Sequence, residues 1–315
     1  YATLRNNVFM SNTASTCGGG VYIIWGDVAV VSNTVTDNST GGWGGGIYVE
    51  QSGGVSLDGN NVRDNAAQDG GGLALAYSKI EMTDNIITDN NASRGGGLDA
   101  SGTDALLTNN MIVANDAGSK SSGVSLYGGN SHLIHNTIVG NAGGDGSGLY
   151  IGSLTLDGGT TVFLTNTLLA NHTVGITVEA GNRATLTRTF WSSNAMDWGG
   201  AGTIVHSQDR TGDPAFVDPT AGDYHLGPGS EAQNAGIDAG IGTDVDGDRR
   251  PQGLGFDIGA DERPCPVALI SVRIVGDSSG SADATYSFSA LRNPQNATEP
   301  TIYNWTPEPD RGQGS

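Results

Sequence analysis

The repeat that decides the fold is complete in Trp43-Gly44-Gly45-Gly46-Ile47-Tyr48-Val49-Glu50, then Val55-Ser56-Leu57, then Asn60-Asn61-Val62-Arg63-Asp64-Asn65. Its glycine-rich turn recurs every 25–27 residues. Fixed periods of this length are typical of solenoids, propellers and other repeat arrays. The turns end at Gly20, Gly46, Gly72, Gly97, Gly123 and Gly148, with weaker copies at Gly175 and Gly200.

Each unit carries apolar residues at places that are typical of short strands. The first and third residues after the turn are apolar, as in Ile47 and Val49, and this alternation predicts a strand with one buried face. Apolar positions also recur three residues before and two residues after the first asparagine, as in Leu57 and Val62. One unit cannot bury its apolar face alone, so successive units must stack. We therefore predict an all-β protein, a right-handed parallel β-helix of about eight coils with three short strands per coil over residues 1–205.

Two asparagines five residues apart accompany the turns. Gly and Asn both tolerate the left-handed backbone that a coil corner requires, and stacked amide side chains form hydrogen-bonded ladders in cross-β structures. We therefore interpret the pairs as structural ladders rather than as a polar binding site. The pairs are Asn7/Asn12, Asn33/Asn38, Asn60/Asn65, Asn85/Asn90, Asn110/Asn115, Asn136/Asn141 and Asn166/Asn171, and the last unit keeps only the second member, in Thr189/Asn194.

The chain is acidic, with 14 Lys and Arg against 33 Asp and Glu in 315 residues and a formal net charge of −19. Nucleic acids and anionic lipids bind clustered basic residues, so both are disfavoured as partners. No run of about 18 apolar residues is present, which predicts no transmembrane helix and no membrane insertion of this segment. The sequence opens without a signal peptide and Tyr1 falls inside a coil, so we expect the natural chain to begin upstream.

The two cysteines, Cys17 and Cys265, lie near opposite ends of the predicted rod. Their separation excludes a disulfide within one chain. Two interpretations stay open, free thiols or partners elsewhere, including a disulfide between stacked copies. The compartment is therefore not decided by the cysteines.

Four tyrosines on the predicted outer strand face are candidate substrate-binding residues. Exposed aromatic rings on a flat strand stack on the apolar faces of sugar rings. The alternative is that tyrosine simply suits a half-exposed strand because of its high β-propensity. The four are Tyr22, Tyr48, Tyr127 and Tyr150, each in the second or fourth position after a turn.

The outward carboxylates Glu50, Asp99 and Glu179 do not form an acid–base pair in the predicted register, so we predict no catalytic residues. Glu50 and Glu179 are five coils apart, or roughly 24 Å, which is too far for a glycosidase pair. His132 and His135 have no third metal ligand one coil away, and we expect both to be surface histidines.

Residues 206–263 lose the repeat and gain proline, which predicts a segment that closes the solenoid and covers its last coil. Within it, Asp244, Asp246 and Asp248 resemble the start of a calcium loop, although Gly255 occupies the place of the twelfth-position acid of an EF-hand. A structural calcium ion on these three residues is one interpretation, and no other cofactor is predicted. The other is an Asx-rich turn neutralised by Arg249 and Arg250.

The closing segment resembles the end of the choice-of-anchor Q proteins, bacterial secreted or surface proteins with a pectate-lyase-like β-helix. The residues that carry this resemblance include Asp213-Pro214-Ala215-Phe216-Val217-Asp218-Pro219 and Asp257-Ile258-Gly259-Ala260-Asp261-Glu262, although Asp261 and Glu231 replace the usual Tyr and Pro. The repeats are similar to those of polymorphic outer-membrane proteins, through Gly45-Gly46-Ile47 and Phe9-Met10-Ser11-Asn12. The resemblance implies export and surface display, with adhesive or matrix roles and no catalytic residues.

Residues 264–315 begin with the stiff linker Pro264-Cys265-Pro266 and continue with strand-like segments at 267–275, 284–290 and 301–305. They resemble the opening strands of an Ig-like or PKD-like domain. Such sandwiches need about seven strands. We therefore expect a partial domain, either cut short or completed by strands of another chain.

The sequence favours a secreted or cell-surface protein with a structural or adhesive role. One form of this role is a subunit of an extracellular fibre or matrix that assembles end to end. The alternative is a carbohydrate-active protein that acts along the strand face, as a polysaccharide lyase, a glycoside hydrolase or a non-catalytic glycan binder. Whether the chain is an enzyme is left open, with the absence of a catalytic pair favouring a non-enzyme. Two partners are considered, further copies of the chain bound end to end and a glycan, and the sequence does not identify the ligand.

Overall fold

The computed structural model describes residues 2–154, 159–264, 271–275 and 289–293. The chain divides into two compact units, Tyr1–Arg263 and Pro264–Ser315. The first unit confirms the predicted all-β class and parallel β-helix, because its coils build parallel sheets in which each strand pairs with the equivalent strand of the next coil. We name the four largest sheets A to D in the order in which the chain passes through them.

Three of the sheets contain the three strands per coil that the sequence predicts. Sheet A contains Ala2–Arg5, Val28–Val31, Val55–Asp58, Lys79–Thr83, Asp104–Thr108, Asn130–Ile134, Thr161–Thr165, Arg183–Thr187 and Thr203–Ser207. Sheet B contains Val8–Met10, Thr34–Thr36, Asn61–Arg63, Ile86–Thr88, Met111–Val113, Thr137–Val139, Leu168–Ala170, Phe190–Ser192 and Arg210–Thr211. Sheet D contains Val21–Ile24, Ile47–Glu50, Leu73–Ala76, Leu98–Ser101, Val124–Tyr127, Ser147–Gly152, Val174–Val178 and Met196–Gly199.

A fourth short strand, which the sequence did not suggest, lies between sheets B and D in six coils. It forms sheet C, and its residues are mostly polar or small. Its strands are Thr13–Ala14, Ser39–Thr40, Ala66–Asp69, Asn91–Arg94, Asp116–Lys120 and Ala142–Gly143.

The core consists of apolar columns, one residue per coil, as the alternation predicts. In sheet A, Val30, Leu57, Met82 and Leu107 follow one another in register and are almost fully buried. Burial of one such aliphatic side chain contributes about 1.5–3 kcal/mol. Equivalent columns in sheets B and D complete one continuous core along the coils.

The asparagine pairs form the two predicted ladders. In the first ladder, Asn60 Oδ1 accepts hydrogen bonds from the backbone N–H (3.0 Å) and the Nδ2 (3.0 Å) of Asn33. Asn60 Nδ2 in turn donates to Asn85 Oδ1 (2.9 Å) and to the carbonyl of Val30 (2.8 Å). Each buried amide in the middle of the ladder is thus satisfied from coil to coil.

The predicted asparagine pair is wrong in one coil, the one that contains Asn166 and Asn171. Thr137 pairs with Leu168, which places Thr167 and His172, not Asn166 and Asn171, in the two ladder columns. Asn166 and Asn171 instead occupy the preceding corners, where both have a positive φ. Asparagine tolerates this backbone, so the corner residues imitate the ladder residues one position away.

The closing segment lies along the side of the solenoid rather than over its last coil, which corrects the predicted position. Its Leu226, Ala232, Ile258 and Ala260 pack against the outward apolar residues of sheet B, including Met111, Val139, Leu168 and Phe190. The segment contains an antiparallel pair, Phe216–Asp218 with Asp223–Leu226, joined by a short 3₁₀ helix, Pro219–Ala221. Sheet B is therefore covered on both faces where this segment contacts it.

Arg250 is the polar centre of the closing segment. Its guanidinium forms a buried ion pair with Glu262 (3.0 Å) and donates to the carbonyls of Ala260 (2.6 Å) and Gly259 (3.0 Å). The ion pair of Arg250 is thus with Glu262, and Asp244 of the acidic turn acts on Arg250 through its charge without a direct ion pair.

The second unit has two described strands, Ser271–Val275 and Ser289–Asn293, which pair antiparallel. The predicted strand at 301–305 and Cys265 lie outside the described residues. No helix in the described part of the chain has the length and apolar character of a membrane span.

Candidate functional site

The four predicted tyrosines lie on sheet D, as expected, but three of them are covered. Tyr22 is 43% exposed, whereas Tyr48, Tyr127 and Tyr150 are 6% exposed or less. The prediction of a row of exposed tyrosine rings is therefore corrected: the structure leaves one of the four open to solvent.

Side chains from neighbouring strands and corners cover these rings. Tyr48 stacks between Tyr22 (centroids 5.2 Å apart) and Trp43 (6.3 Å). Further along sheet D, cations cover the rings. Arg94, from sheet C, lies over Tyr127 at 5.0 Å, and Lys120, also from sheet C, lies over Tyr150 at 4.6 Å.

The outer face of sheet D contains a cavity of about 340 Å³ between Tyr48 and Asp99, which we call the sheet D groove. The second and fourth positions of the strand between them are Ala74 and Ala76, so the floor is low where the neighbouring coils carry larger side chains. The groove is lined by Cys17, Trp43, Tyr48, Glu50, Ala74, Leu75, Ala76, Tyr77, Asp99, Ser101 and Leu154.

Tyr77 forms one wall of the groove and is 63% exposed. Its ring lies against the backbone of Gly102, where a Cβ atom would approach Tyr77 Cδ1 to 2.7 Å. Gly102 also has a positive φ, so a larger residue there would be strained and would displace the ring. The wall therefore depends on a glycine one coil away.

Asp99 is the most buried charged side chain of the groove, at 3% exposure. Arg94 Nε donates to Asp99 Oδ2 at 2.9 Å, and Arg94 Nη2 lies 3.3 Å from Asp69. Burial raises the pKa of Asp99 to about 6, although the nearby Arg94 guanidinium acts in the opposite direction. Asp99 therefore changes its protonation state close to neutral pH.

The other two outward carboxylates are engaged by tyrosine hydroxyls. Glu50, on the groove, accepts from Tyr22 at 2.8 Å, and this hydrogen bond raises the pKa of Tyr22 to about 12. Glu179 contacts Lys120 (3.1 Å) and the hydroxyl of Tyr150 outside the groove. Glu50 and Glu179 are thus held apart in two local clusters, as the predicted register requires.

The structure does not bring the three predicted calcium ligands together within the described part of the chain. Asp244 is fully buried, and its carboxylate accepts from the backbone N–H groups of Asp246 (3.0 Å), Asp248 (2.8 Å) and Glu262 (2.9 Å). This arrangement is the Asx-rich turn that was the alternative interpretation.

The two histidines of the His-x-x-His segment lie in different environments. His132 stacks on Phe163 (centroids 4.8 Å apart) on the outer face of sheet A. His135 is fully buried, contrary to the prediction, and Asn166 Nδ2 lies 3.0 Å from its Nε2. Burial lowers the pKa of His135 to about 3, so it is neutral at physiological pH.

Sequence reasoning missed the walls of the groove, Trp43, Tyr77 and Leu154, because they lie in corners rather than on the strands. One signal was available. In the columns of outward residues, Ala74 and Ala76 stand between Tyr48 and Glu50 on one side and Asp99 and Ser101 on the other. Two small residues between larger ones in stacked strands indicate a depression in the surface.

A comparison with protein-family models agrees with this architecture. The family model described as "Right handed beta helix region" matches residues 41–191. No curated protein gives a significant match. A solved structure, the crystal structure of pectate lyase Pel9A, is similar with 12% sequence identity and a TM-score of 0.40, over 83% of this chain and 87% of that chain. The family match and the parallel register of the sheets together identify the solenoid as a right-handed parallel β-helix.

Proposed function

We propose that the chain is a structural β-helix protein that binds a carbohydrate in the sheet D groove without transforming it. The observation that carries this proposal is the combination of aromatic walls and carboxylate groups around a shallow cavity on a rigid sheet. Trp43 and Tyr77, 49% and 63% exposed, offer ring surface to a ligand, and Glu50 and Asp99 offer hydrogen-bond acceptors.

The chemistry of a sugar ring fits these groups. Its C–H faces pack on aromatic rings, and its hydroxyls donate to carboxylates. The volume of about 340 Å³ lies at the lower end of the range of small-molecule sites. A net charge of −19 disfavours strongly anionic polymers, so a neutral glycan is the favoured ligand.

Isothermal titration calorimetry against neutral and anionic oligosaccharides tests the proposal. We expect Trp43→Ala and Tyr77→Ala each to weaken the binding of a neutral glycan about tenfold, since a lost aromatic contact of this kind is worth about 1 kcal/mol or more. Phe163→Ala is the matched control, because Phe163 is a part-exposed aromatic residue on sheet A. Equal losses in all three variants, or no binding by the unmodified chain, would contradict the proposal.

A polysaccharide-cleaving enzyme is the second candidate, favoured by Asp99. A buried carboxyl with a pKa of about 6 beside a ligand cavity has the properties of a general acid. Release of oligosaccharides from a glycan panel, and its loss in Asp99→Asn, would support this candidate. Under the non-catalytic proposal no products form, and Asp99→Asn changes affinity alone.

We also propose, from the sequence resemblance, a location at the cell surface or outside the cell. End-to-end assembly of copies is a separate proposal, drawn from the partial domain at 264–315 that strands of another chain could complete. Electron microscopy of the purified full-length chain tests the assembly, since filaments are directly visible. The glycan proposal does not depend on it.

A further inference from the structure

A group of potential metal ligands lies in the closing segment, far along the chain from the residues of the groove. His225, Asp246 and Asp261 each offer one potential ligand atom, and these atoms all lie within 4.8 Å of one another. His225 Nε2 and Asp246 Oδ2 are 2.9 Å apart. Asp261 is 8% exposed, whereas the other two remain partly open to solvent.

A fourth residue fixes the histidine ring. Asp223 Oδ1 lies 2.6 Å from His225 Nδ1 and also accepts the backbone N–H of His225 at 3.1 Å. A carboxylate on Nδ1 holds a proton on that nitrogen and directs Nε2 to the other ligands, which is the usual arrangement around a metal-bound histidine. Nε2 also faces carboxylate oxygens, so either a second proton on the imidazole or a metal cation must lie between these atoms.

We propose that His225, Asp246 and Asp261 bind a divalent transition-metal ion, with zinc as the preferred ion, and that Asp223 orients the histidine. One imidazole nitrogen and two carboxylate oxygens are ligands that zinc accepts, and the imidazole disfavours calcium and magnesium. Water completes the coordination on the exposed side.

The geometry requires a small adjustment. Ligand atoms around tetrahedral zinc, at about 2.0–2.1 Å from the ion, lie roughly 3.3 Å from each other. Two ligand atoms at the 4.8 Å limit would have to approach by about 1.5 Å, and His225 Nε2 and Asp246 Oδ2, at 2.9 Å, would have to separate slightly. Asp246 can provide this movement because its side chain is 55% exposed, whereas Asp261 is fixed by the backbone N–H of Leu226 at 2.7 Å.

Such an ion would join three separate stretches of the closing segment. His225 belongs to the strand Asp223–Leu226, Asp246 to the acidic turn, and Asp261 to the stretch that packs on sheet B. The ion would thus stabilise the segment that covers sheet B, and the proposal assigns it no catalytic step.

The test uses the full chain after treatment with a chelator. We expect calorimetry at pH 7.5 to show one zinc ion bound per chain, and Tm to rise by about 5 °C when zinc exceeds its Kd roughly a hundredfold. Hydrogen exchange should slow at residues 223–226 and 244–248. His225→Gln and Asp246→Asn should each weaken zinc binding at least tenfold, and Asp246→Asn removes an exposed group, so it keeps the fold.

Asp248→Asn is the matched control, since Asp248 is an exposed acid of the same turn that is outside the group. It should bind zinc as the unmodified chain does. Absence of zinc binding would overturn the proposal. It would indicate that a proton on His225, rather than a metal ion, holds the group together. A preference for calcium that Asp248→Asn removes would overturn it in favour of a calcium loop.

Discussion

His172 shows how a single residue alters the pH dependence of the solenoid. It occupies the second ladder column between Asn141 and Asn194, and its backbone N–H donates to Asn194 Oδ1 at 3.0 Å. The ring is 4% exposed, and its Nδ1 has no hydrogen-bond partner among the described residues. Burial lowers the pKa of His172 to about 4. At this ladder position His172, which can take up a proton, stands where the other coils have an asparagine, which cannot.

The first prediction follows from that lowered pKa. Below about pH 6.5 the unfolded chain takes up a proton on His172 that the folded chain does not accept until about pH 4, so stability falls across this window as the pH decreases. His172→Asn removes this contribution and restores the amide column. We expect the variant to lose less stability than the unmodified chain between pH 7 and pH 4.5, by about 1 kcal/mol or more in denaturant titrations. Identical pH profiles would contradict the assignment.

The buried pair of Arg250 and Glu262 gives a second prediction. Removal of one partner leaves an uncompensated buried charge, which costs about 3–5 kcal/mol. Arg250→Met should therefore destabilise the closing segment strongly, as measured by denaturant unfolding with hydrogen exchange. Because Arg250→Met with Glu262→Gln removes both charges, the double variant should recover part of the loss. If the two effects simply add, the pair is not coupled as described.

The third prediction concerns the ladders as elements of the fold. Asn110 is fully buried, donates from Nδ2 to the carbonyl of Met82 (2.9 Å) and to Asn136 Oδ1 (3.0 Å), and accepts from Asn85. Asn110→Ala leaves buried partners unsatisfied, at a cost of about 2–4 kcal/mol in the free energy of unfolding. Asn7→Ala is the matched control, because Asn7 stands in the same column but is exposed. Equal costs in chemical denaturation would show that burial does not set the strength of the ladder.

Much of the strand and coil arrangement could be predicted because each coil repeats one pattern. Leu57 and Met82 occupy the same column for the same physical reason, and the period places both. The predicted asparagine positions were wrong where the coil length changed. Asn130 pairs with Thr161 and Thr161 with Arg183, so two successive coils of 31 and 22 residues interrupt the regular spacing. An asparagine suits either the corner or the ladder, so the sequence could not choose between these positions.

The parts that escaped prediction depend on contacts without a period. Sheet C strands such as Asn91–Arg94 have little apolar character, and neighbouring strands hold them through backbone hydrogen bonds. The groove depends on corner residues such as Trp43 and Tyr77, whose positions follow from the stacking of whole coils. The exposure of Tyr48 was overestimated for the same reason, since Trp43 and Tyr22 cover it.

For the β-helical unit as a whole, the closing segment decides which side is covered. Ala260 N donates to Thr137 Oγ1 (2.9 Å), and Asn109 Nδ2 donates to the carbonyl of Thr243 (2.9 Å), across more than 120 residues of sequence. A signal for this packing exists in sheet B. Met111–Val113 is apolar at every position, whereas Thr34–Thr36 alternates, and strands buried on both faces read as continuous apolar runs.

The last prediction tests this covered face. Ala260 is fully buried against sheet B, so Ala260→Glu places a long charged side chain where there is neither space nor a partner. We expect the closing segment to detach locally and expose Met111, Val139 and Leu168, while the sheets persist because neighbouring coils stabilise one another. ANS fluorescence should rise, and proteases should cut within 227–260, with little change in far-UV circular dichroism. Ala66→Glu, at an exposed position on sheet C, should leave all three readouts unchanged. Loss of the β-sheet signal in Ala260→Glu would instead show that the coils and the closing segment unfold as one cooperative unit.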